Sequence, residues 1–275
     1  MAPDKPAVHL PVLNFGATLR KDNWWVGPAI TFVILTGFIV YATFRAFEND
    51  YFQVGPYLSP FYSPLIPTAG LSIPFLSPAM LILPGPAGFR LTCYYYRKAY
   101  YRSFAMDPPA CAVGERGRHR YNGETKLFIF QNLHRFALYV ALVFLAILWH
   151  DVYKALWFPA VGLGGAAGAS GAGAVGTGGG ETFGIGVGTL VLALNTTLLT
   201  GYTFSCHSLR HLIGGSVDSY STAAFGQLRH TLWRGVSRLN QNHMLFAWTS
   251  LFAVAFADAY VRLVASGVIQ DVRIL

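Results

Sequence analysis

The chain has 275 residues, of which 53% are hydrophobic, 15% aromatic and only 12% charged. A soluble domain carries about 25% charged residues, so this composition excludes an ordinary soluble globule, and its hydrophobicity excludes a disordered chain. The balance is basic, 20 Lys and Arg against 12 Asp and Glu; cations this sparse, set among long apolar runs, point to a membrane surface and not to nucleic acid.

A membrane-spanning helix needs about 20 mostly apolar residues to cross a hydrocarbon core about 30 Å thick. Such stretches occur at 25–47, 76–96, 127–149, 186–206 and 243–264. The expected fold is all-α: a five-transmembrane-helix bundle forming a single domain over residues 1–275. The first 25 residues contain no apolar signal-peptide core, so the first span is expected to act as the insertion signal. The segment 48–75 is acidic at Glu48 and Asp50, then rich in Pro, Tyr and Phe; it reads as a packed cap. In the second span Pro78, Pro84 and Pro86 imply a kinked or partly unwound start, which a bundle tolerates when neighbours re-satisfy the backbone. The third span is polar in its first turns and apolar from Phe136. Residues 162–180 are almost all Gly, Ala and Ser and read as a flexible linker. Of the 20 Lys and Arg, 14 lie in 1–25, 97–126 and 207–242, and 4 lie in the opposite loops and the tail. By the positive-inside rule the N-terminus is cytoplasmic and the C-terminus outside.

Ionisable residues within spans are costly and default to a functional hypothesis. Cys93, His134, Cys206 and His243 come from four different spans, yet all fall at a similar depth in the cytoplasmic half. Bundles build metal and cofactor sites from facing helices in this way. Two histidines suit a haem b; two Cys and two His suit a Rieske-type [2Fe–2S] centre; four-coordinate zinc uses the same ligands but has little purpose deep in a bundle, so the Cys–His parity favours the iron–sulfur reading. A competing set is His207 and His211, spaced i,i+4 on one helix face, with Cys111 of the 97–126 loop as a possible thiolate. Cys206 and His207 lie about 100° apart on a helix, so one site would not use both.

The stretch 94–104 continues the second helix as an aromatic and basic collar. It serves as an interfacial belt or as a docking face for a protein partner, with Tyr100, Tyr101, Arg102, Trp233 and Arg234 on the rim. A quinone head group would find donors at this depth, with Tyr96, Arg97, Arg135 and Trp25 as candidates. Arg90 and Arg135 lie inside spans with no acid at their level, so each must face a cofactor, a quinone oxygen or backbone carbonyls. Asp258 is placed to pair with Arg262, one turn on. No phosphate loop, nucleophile elbow or HExxH occurs, so no catalytic residue is assigned.

The segments TCYYYRKAYYRSF (92–104), PPACAV (108–113), QNLHRF (131–136), FSCHSLRHLIGG (204–215) and NQNHMLFAW (240–248), with GPYLSPFYSP (55–64), resemble the membrane anchor of actinobacterial, mycobacterial-type succinate dehydrogenase. The resemblance covers nearly the whole chain apart from the first 20 residues and the Gly/Ala linker. It implies a five-span anchor in the bacterial plasma membrane, bound to a flavoprotein subunit and an iron–sulfur subunit. It also implies a Rieske-type [2Fe–2S] cluster within the membrane and a quinone, a menaquinone or ubiquinone analogue, as electron acceptor. Succinate oxidation itself would belong to a partner subunit. Within these motifs the assignment of Cys93, His134, Cys206 and His243 as ligands rests on their depth, with Cys111, His207 and His211 in reserve. Two other functions fit the composition: a free-standing di-His cytochrome b, and a transporter or channel.

Overall fold

A computed structural model describes residues 21–67, 76–105, 128–159, 180–215 and 217–275. The linker at 162–179 and Cys111 lie outside them. The architecture is mostly helical, in chain order α1 (Val26–Glu48), a β1–β2 hairpin (Gln53–Val54, Tyr57–Leu58), α2 (Pro78–Ile82), α3 (Pro84–Thr92), α4 (Tyr94–Phe104) and α5 (Phe128–Lys154). There follow a second hairpin, β3–β4 (Trp157–Pro159, Glu181–Phe183), and then α6 (Val187–Phe204), α7 (His207–Gly214), α8 (Gly226–Gln241) and α9 (His243–Ala265).

Four segments, Val26–Glu48, Leu133–Lys154, Val187–Phe204 and His243–Ala265, are helical, long and apolar enough to cross a membrane. They answer to the first, third, fourth and fifth predicted spans. Large apolar side chains such as Val33, Val40, Phe44, Val143, Leu194 and Phe256 stand exposed on them, as a surface facing lipid requires.

The second predicted span, 76–96, is not one helix. Its start is irregular because Pro84 and Pro86 have no N–H to donate, so α2 and α3 meet at Leu83. Leu83 itself stays helical (φ −57°, ψ −32°) and bonds to Ala79 and Ala87 on either side. The real break comes later, at Cys93, which is extended (φ −63°, ψ 129°). Composition gives no warning of it. From Pro78 to Thr92 the helical stretch rises only about 22 Å at 1.5 Å per residue, short of the hydrocarbon core. The fourth span also ends earlier than 206: α6 stops at Phe204, and Cys206 is extended (φ −66°, ψ 136°) before α7 begins.

The core runs along the bundle in two parts. Around Cys93 and Cys206 it is made by Leu35, Phe89, Tyr96, Leu138, Tyr202 and Leu251. At the other end Tyr57, Phe61, Tyr62, Phe158 and Val261 are buried beneath the two hairpins, so residues 51–67 do pack as a cap. The α6 helix packs most extensively against α9, closely enough that a Cβ on Gly201 would stand 2.5 Å from the Phe246 ring. Small residues serve this purpose between membrane helices.

The cap is tied down by a buried ion pair. Arg262 Nε donates to Asp258 at 3.0 and 3.1 Å, and the two are 4% and 0% exposed. Asp258 also accepts from Tyr41 at 2.7 Å and from Ser59. Arg262 reaches on to Glu48 at 2.8 Å and to the Asp50 carbonyl at 2.5 Å. One pair thereby joins α9 to the end of α1 and the cap. Nearby, Asp271 accepts from Tyr57, Tyr260 and the Gly188 N–H. Burial, and then the hydrogen bond to this carboxylate, push the Tyr57 phenol well above its ordinary pKa.

Breaking a buried pair from one side costs about 3–5 kcal/mol, because the remaining charge is stranded. Asp258→Ala is therefore expected to lower thermal stability in detergent sharply. The double change Asp258→Leu with Arg262→Met should recover most of the loss. Unfolding followed by circular dichroism on both variants checks this.

Candidate functional site

The two helix breaks decide where the cysteines point. At each, one extended residue ends a spanning-direction helix and its carbonyl opens the next. The Arg97 N–H donates to Cys93 O at 2.9 Å, and the Arg210 N–H donates to Cys206 O at 3.2 Å. Both thiols turn inward, and Cys93 and Cys206 are buried and not joined in a disulfide. His134 comes from α5 and is 7% exposed. His243 is the first residue of α9, after the turn at Asn242.

These four side chains meet in two pairs. His134 Nε2 lies 3.0 Å from Cys206 Sγ, and His243 Nε2 lies 3.4 Å from Cys93 Sγ. The opposite ring nitrogens are also engaged. His134 Nδ1 is 2.9 Å from Thr92 Oγ1, and His243 Nδ1 is 2.7 Å from Ser205 Oγ. Phe89 stacks on His134 with centroids 4.8 Å apart; Tyr202 stacks on His243 at 5.1 Å. Among the described residues no three His, Cys, Asp or Glu side chains form a ready cage for a single metal ion. The arrangement is two Cys–His pairs.

The reserve histidines lie elsewhere. His207 and His211 sit edge to face at 5.7 Å on α7, both exposed, and neither joins the two Cys–His pairs.

Beside the pairs lies a cavity of about 570 Å³, overwhelmingly apolar, running from Tyr96 and Tyr202 to Pro60 and Met80 beneath the cap. Its volume is that of a small-molecule site. Its polar end is built on Arg90, which makes no ion pair with an acid among the described residues. Arg90 instead donates to Tyr96 Oη at 2.5 Å, to the Ala247 carbonyl at 3.2 Å and to Ser250 Oγ at 2.9 Å. It also lies over the Tyr202 ring at 4.7 Å. Backbone carbonyls were among the expected partners of this cation; the two tyrosine rings were not. The Tyr202 hydroxyl is fully buried and has no hydrogen-bond partner among the described residues.

Of the residues expected around a quinone, Tyr96 lines this cavity, whereas Arg97, Arg135 and Trp25 do not. Arg135 points away from the bundle, Arg97 lies over the Tyr94 ring at 5.6 Å, and Trp25 is half exposed at the start of α1. One helical step separates Arg135 from His134, so the two face about 100° apart. Sequence reasoning passed over Tyr202, Phe89, Thr92 and Ser205. The available signal was position, since each lies one or four residues before a cysteine. Of the expected docking residues, Tyr100 is partly buried and also lines the cavity. Arg102 and Arg234 are exposed, and Trp233 is partly buried under Arg210 at 4.9 Å. The Tyr101 side chain lies outside what is described.

Residues 26–267 match the family described as actinobacterial succinate dehydrogenase subunit SdhC. Among solved structures, a chain of the Mycobacterium smegmatis Sdh1 complex in the apo form is similar, at 38% identity and a TM-score of 0.76, with 98% of each chain covered. No curated protein matches.

The burial of both thiols has a direct consequence. In a Cys111→Ser variant, the folded protein should react with a bulky maleimide far more slowly than the same protein in denaturing detergent. Rapid labelling of the folded form at Cys93 or Cys206, read by mass spectrometry, would contradict this geometry.

Proposed function

The chain belongs to the actinobacterial succinate dehydrogenase SdhC family, and on that premise we propose that it is the membrane anchor and electron-relay subunit of a succinate:quinone oxidoreductase. It sits in the bacterial plasma membrane with the Cys–His end toward the cytoplasm. There the flavoprotein and iron–sulfur subunits dock, on the face that carries Tyr100, Arg102, Trp233 and Arg234. The likeness to a chain of the Mycobacterium smegmatis Sdh1 complex supports such partners. The fifth crossing is made by α2–α3–α4 together. Succinate is oxidised in a partner subunit.

The observation that carries the reading is that His134 meets Cys206 and His243 meets Cys93, two Cys–His pairs drawn from four separate segments. Together they offer two thiolate sulfurs and two imidazole nitrogens, the donor set of a Rieske-type [2Fe–2S] centre. Two imidazoles alone would also serve a haem b; the thiol paired with each of them favours the cluster. Such a cluster, when bound, supplies a one-electron carrier between the partner's iron–sulfur subunit and the quinone.

The remaining residues serve binding and exclusion. Phe89 and Tyr202 cover the two imidazoles with flat apolar faces and keep water from them. The cavity takes the quinone, its apolar length matching an isoprenoid tail. Arg90 and Tyr96 make the polar end for the head group, and the unpartnered Tyr202 hydroxyl can donate to a quinone oxygen. Because Tyr202 stacks on His243 and also lines the cavity, one ring adjoins both ligand and acceptor. Direct contact of this kind keeps the electron's path short.

The double variant His134→Ala with His243→Ala should abolish quinone reduction by the purified complex. Succinate oxidation by a soluble artificial acceptor should continue. His207→Ala with His211→Ala should retain both activities. If the second variant loses quinone reduction and the first keeps it, the ligand assignment is wrong.

A further inference from the structure

The two cysteines stand in one local pattern that occurs twice. FRLTCYYYR (89–97) and YTFSCHSLR (202–210) share an aromatic four residues before the cysteine, a hydroxyl residue just before it and an arginine four residues after it. The backbone follows the same course in both, helical to the hydroxyl residue and extended at the cysteine. The contacts cross between the two copies. His134 bonds to the hydroxyl of the first copy and approaches the sulfur of the second; His243 does the reverse. Each histidine also lies under one aromatic, Phe89 from the first copy on His134 and Tyr202 from the second on His243. Each imidazole therefore stacks on the aromatic of the same copy that supplies its hydroxyl.

Each hydroxyl has one proton, and a backbone carbonyl lies within hydrogen-bond reach of it. Thr92 Oγ1 donates to the Gly88 carbonyl at 2.7 Å, and Ser205 Oγ donates to the Tyr202 carbonyl at 3.0 Å. Both are bonds back to the preceding helical turn, the habitual partner of a helical Ser or Thr. With its proton committed, each oxygen can only accept from the imidazole. On that assignment Nδ1 of both histidines carries the hydrogen, and Nε2 of both presents its lone pair to the opposite sulfur.

We infer that Thr92 and Ser205 are positioning residues, which fix the tautomer and rotation of His134 and His243 so that both Nε2 atoms face the centre as metal donors. This rests on the ligand assignment proposed above. Partners on the far nitrogen of a ligating histidine orient it and raise its basicity, and their loss typically costs about 10–100-fold in metal affinity.

The test uses the whole purified complex, with Thr92→Val and Ser205→Ala compared with the unaltered protein. Both variants are expected to keep a reduced-cluster paramagnetic resonance signal, but with altered g-values and a midpoint potential moved upward. Iron should be lost to a chelator about tenfold faster or more. Thr92→Ser, which keeps the hydroxyl, should restore all three. Unchanged signal, potential and chelator sensitivity in both variants would overturn the inference. Pulsed resonance on the unaltered complex in deuterated buffer adds a check that needs no variant. It should find an exchangeable proton on the remote nitrogen of each ligating histidine, and its absence would also overturn the inference. If instead the unaltered complex holds no acid-labile sulfide beyond that of its partner subunits, the ligand assignment itself fails, and the positioning role with it.

Discussion

Cys93 and Cys206 abandon helical ψ between otherwise helical segments, and the site depends on them. Had Cys93 and Cys206 continued α3 and α6, their side chains would have followed the helix surface with the residues around them. An extended residue at each point swings the sulfur inward and starts a new helix in a new direction. The neighbouring hydroxyl residue is left at the helix end, Thr92 as the last residue of α3 and Ser205 as the cap of α6, where it can bond back to its own turn and forward to a histidine. One backbone choice, made twice, thus delivers both a sulfur and an oxygen to the same place.

That choice is costly in a membrane, because no water is available to satisfy the groups a break releases. The bundle answers with internal partners. The carbonyls of Cys93 and Cys206 are taken by the next helices, and Asn240 donates its side-chain amide to the Ser205 carbonyl. The same accounting governs the buried cations. Arg90 finds a phenol, a hydroxyl, a carbonyl and two aromatic faces; Arg262 finds Asp258 and Glu48. Some buried groups within the spans are left without a hydrogen-bond partner among the described residues, the Asn195 amide and the Tyr202 hydroxyl among them, and a buried donor without an acceptor costs about 1–3 kcal/mol.

Function follows from adjacency. The paired cysteines and histidines lie at one end of the apolar cavity, with Tyr202 shared between them. The opposite end is closed by the cap that Asp258 and Arg262 anchor. On the proposed reading, the cap, the apolar cavity and the buried donor set form the frame that holds an electron carrier beside a lipid-soluble acceptor. The exposed α7–α8 surface remains outside that frame, which suits attachment to other subunits.

Much of this was legible in the sequence. Hydropathy located four helices that can span a membrane, because the period and length of an apolar run depend only on local composition. The common depth of Cys93, His134, Cys206 and His243 could be counted along each span. The pairing of Asp258 with Arg262 followed from i,i+4 spacing. What composition could not reveal was the direction of side chains across helices. That Arg135 faces outward while Arg90 faces the cavity is set by helix rotation, which packing against neighbours decides. The break at Cys93 was invisible too, since its sequence reads as continuous helix and the prolines drew attention elsewhere. Which histidine meets which cysteine was likewise settled only when four segments packed together. Local chemistry determined which residues could share a site; the tertiary fold decided their partners, because contacts between helices depend on rotations and breaks that no single segment encodes.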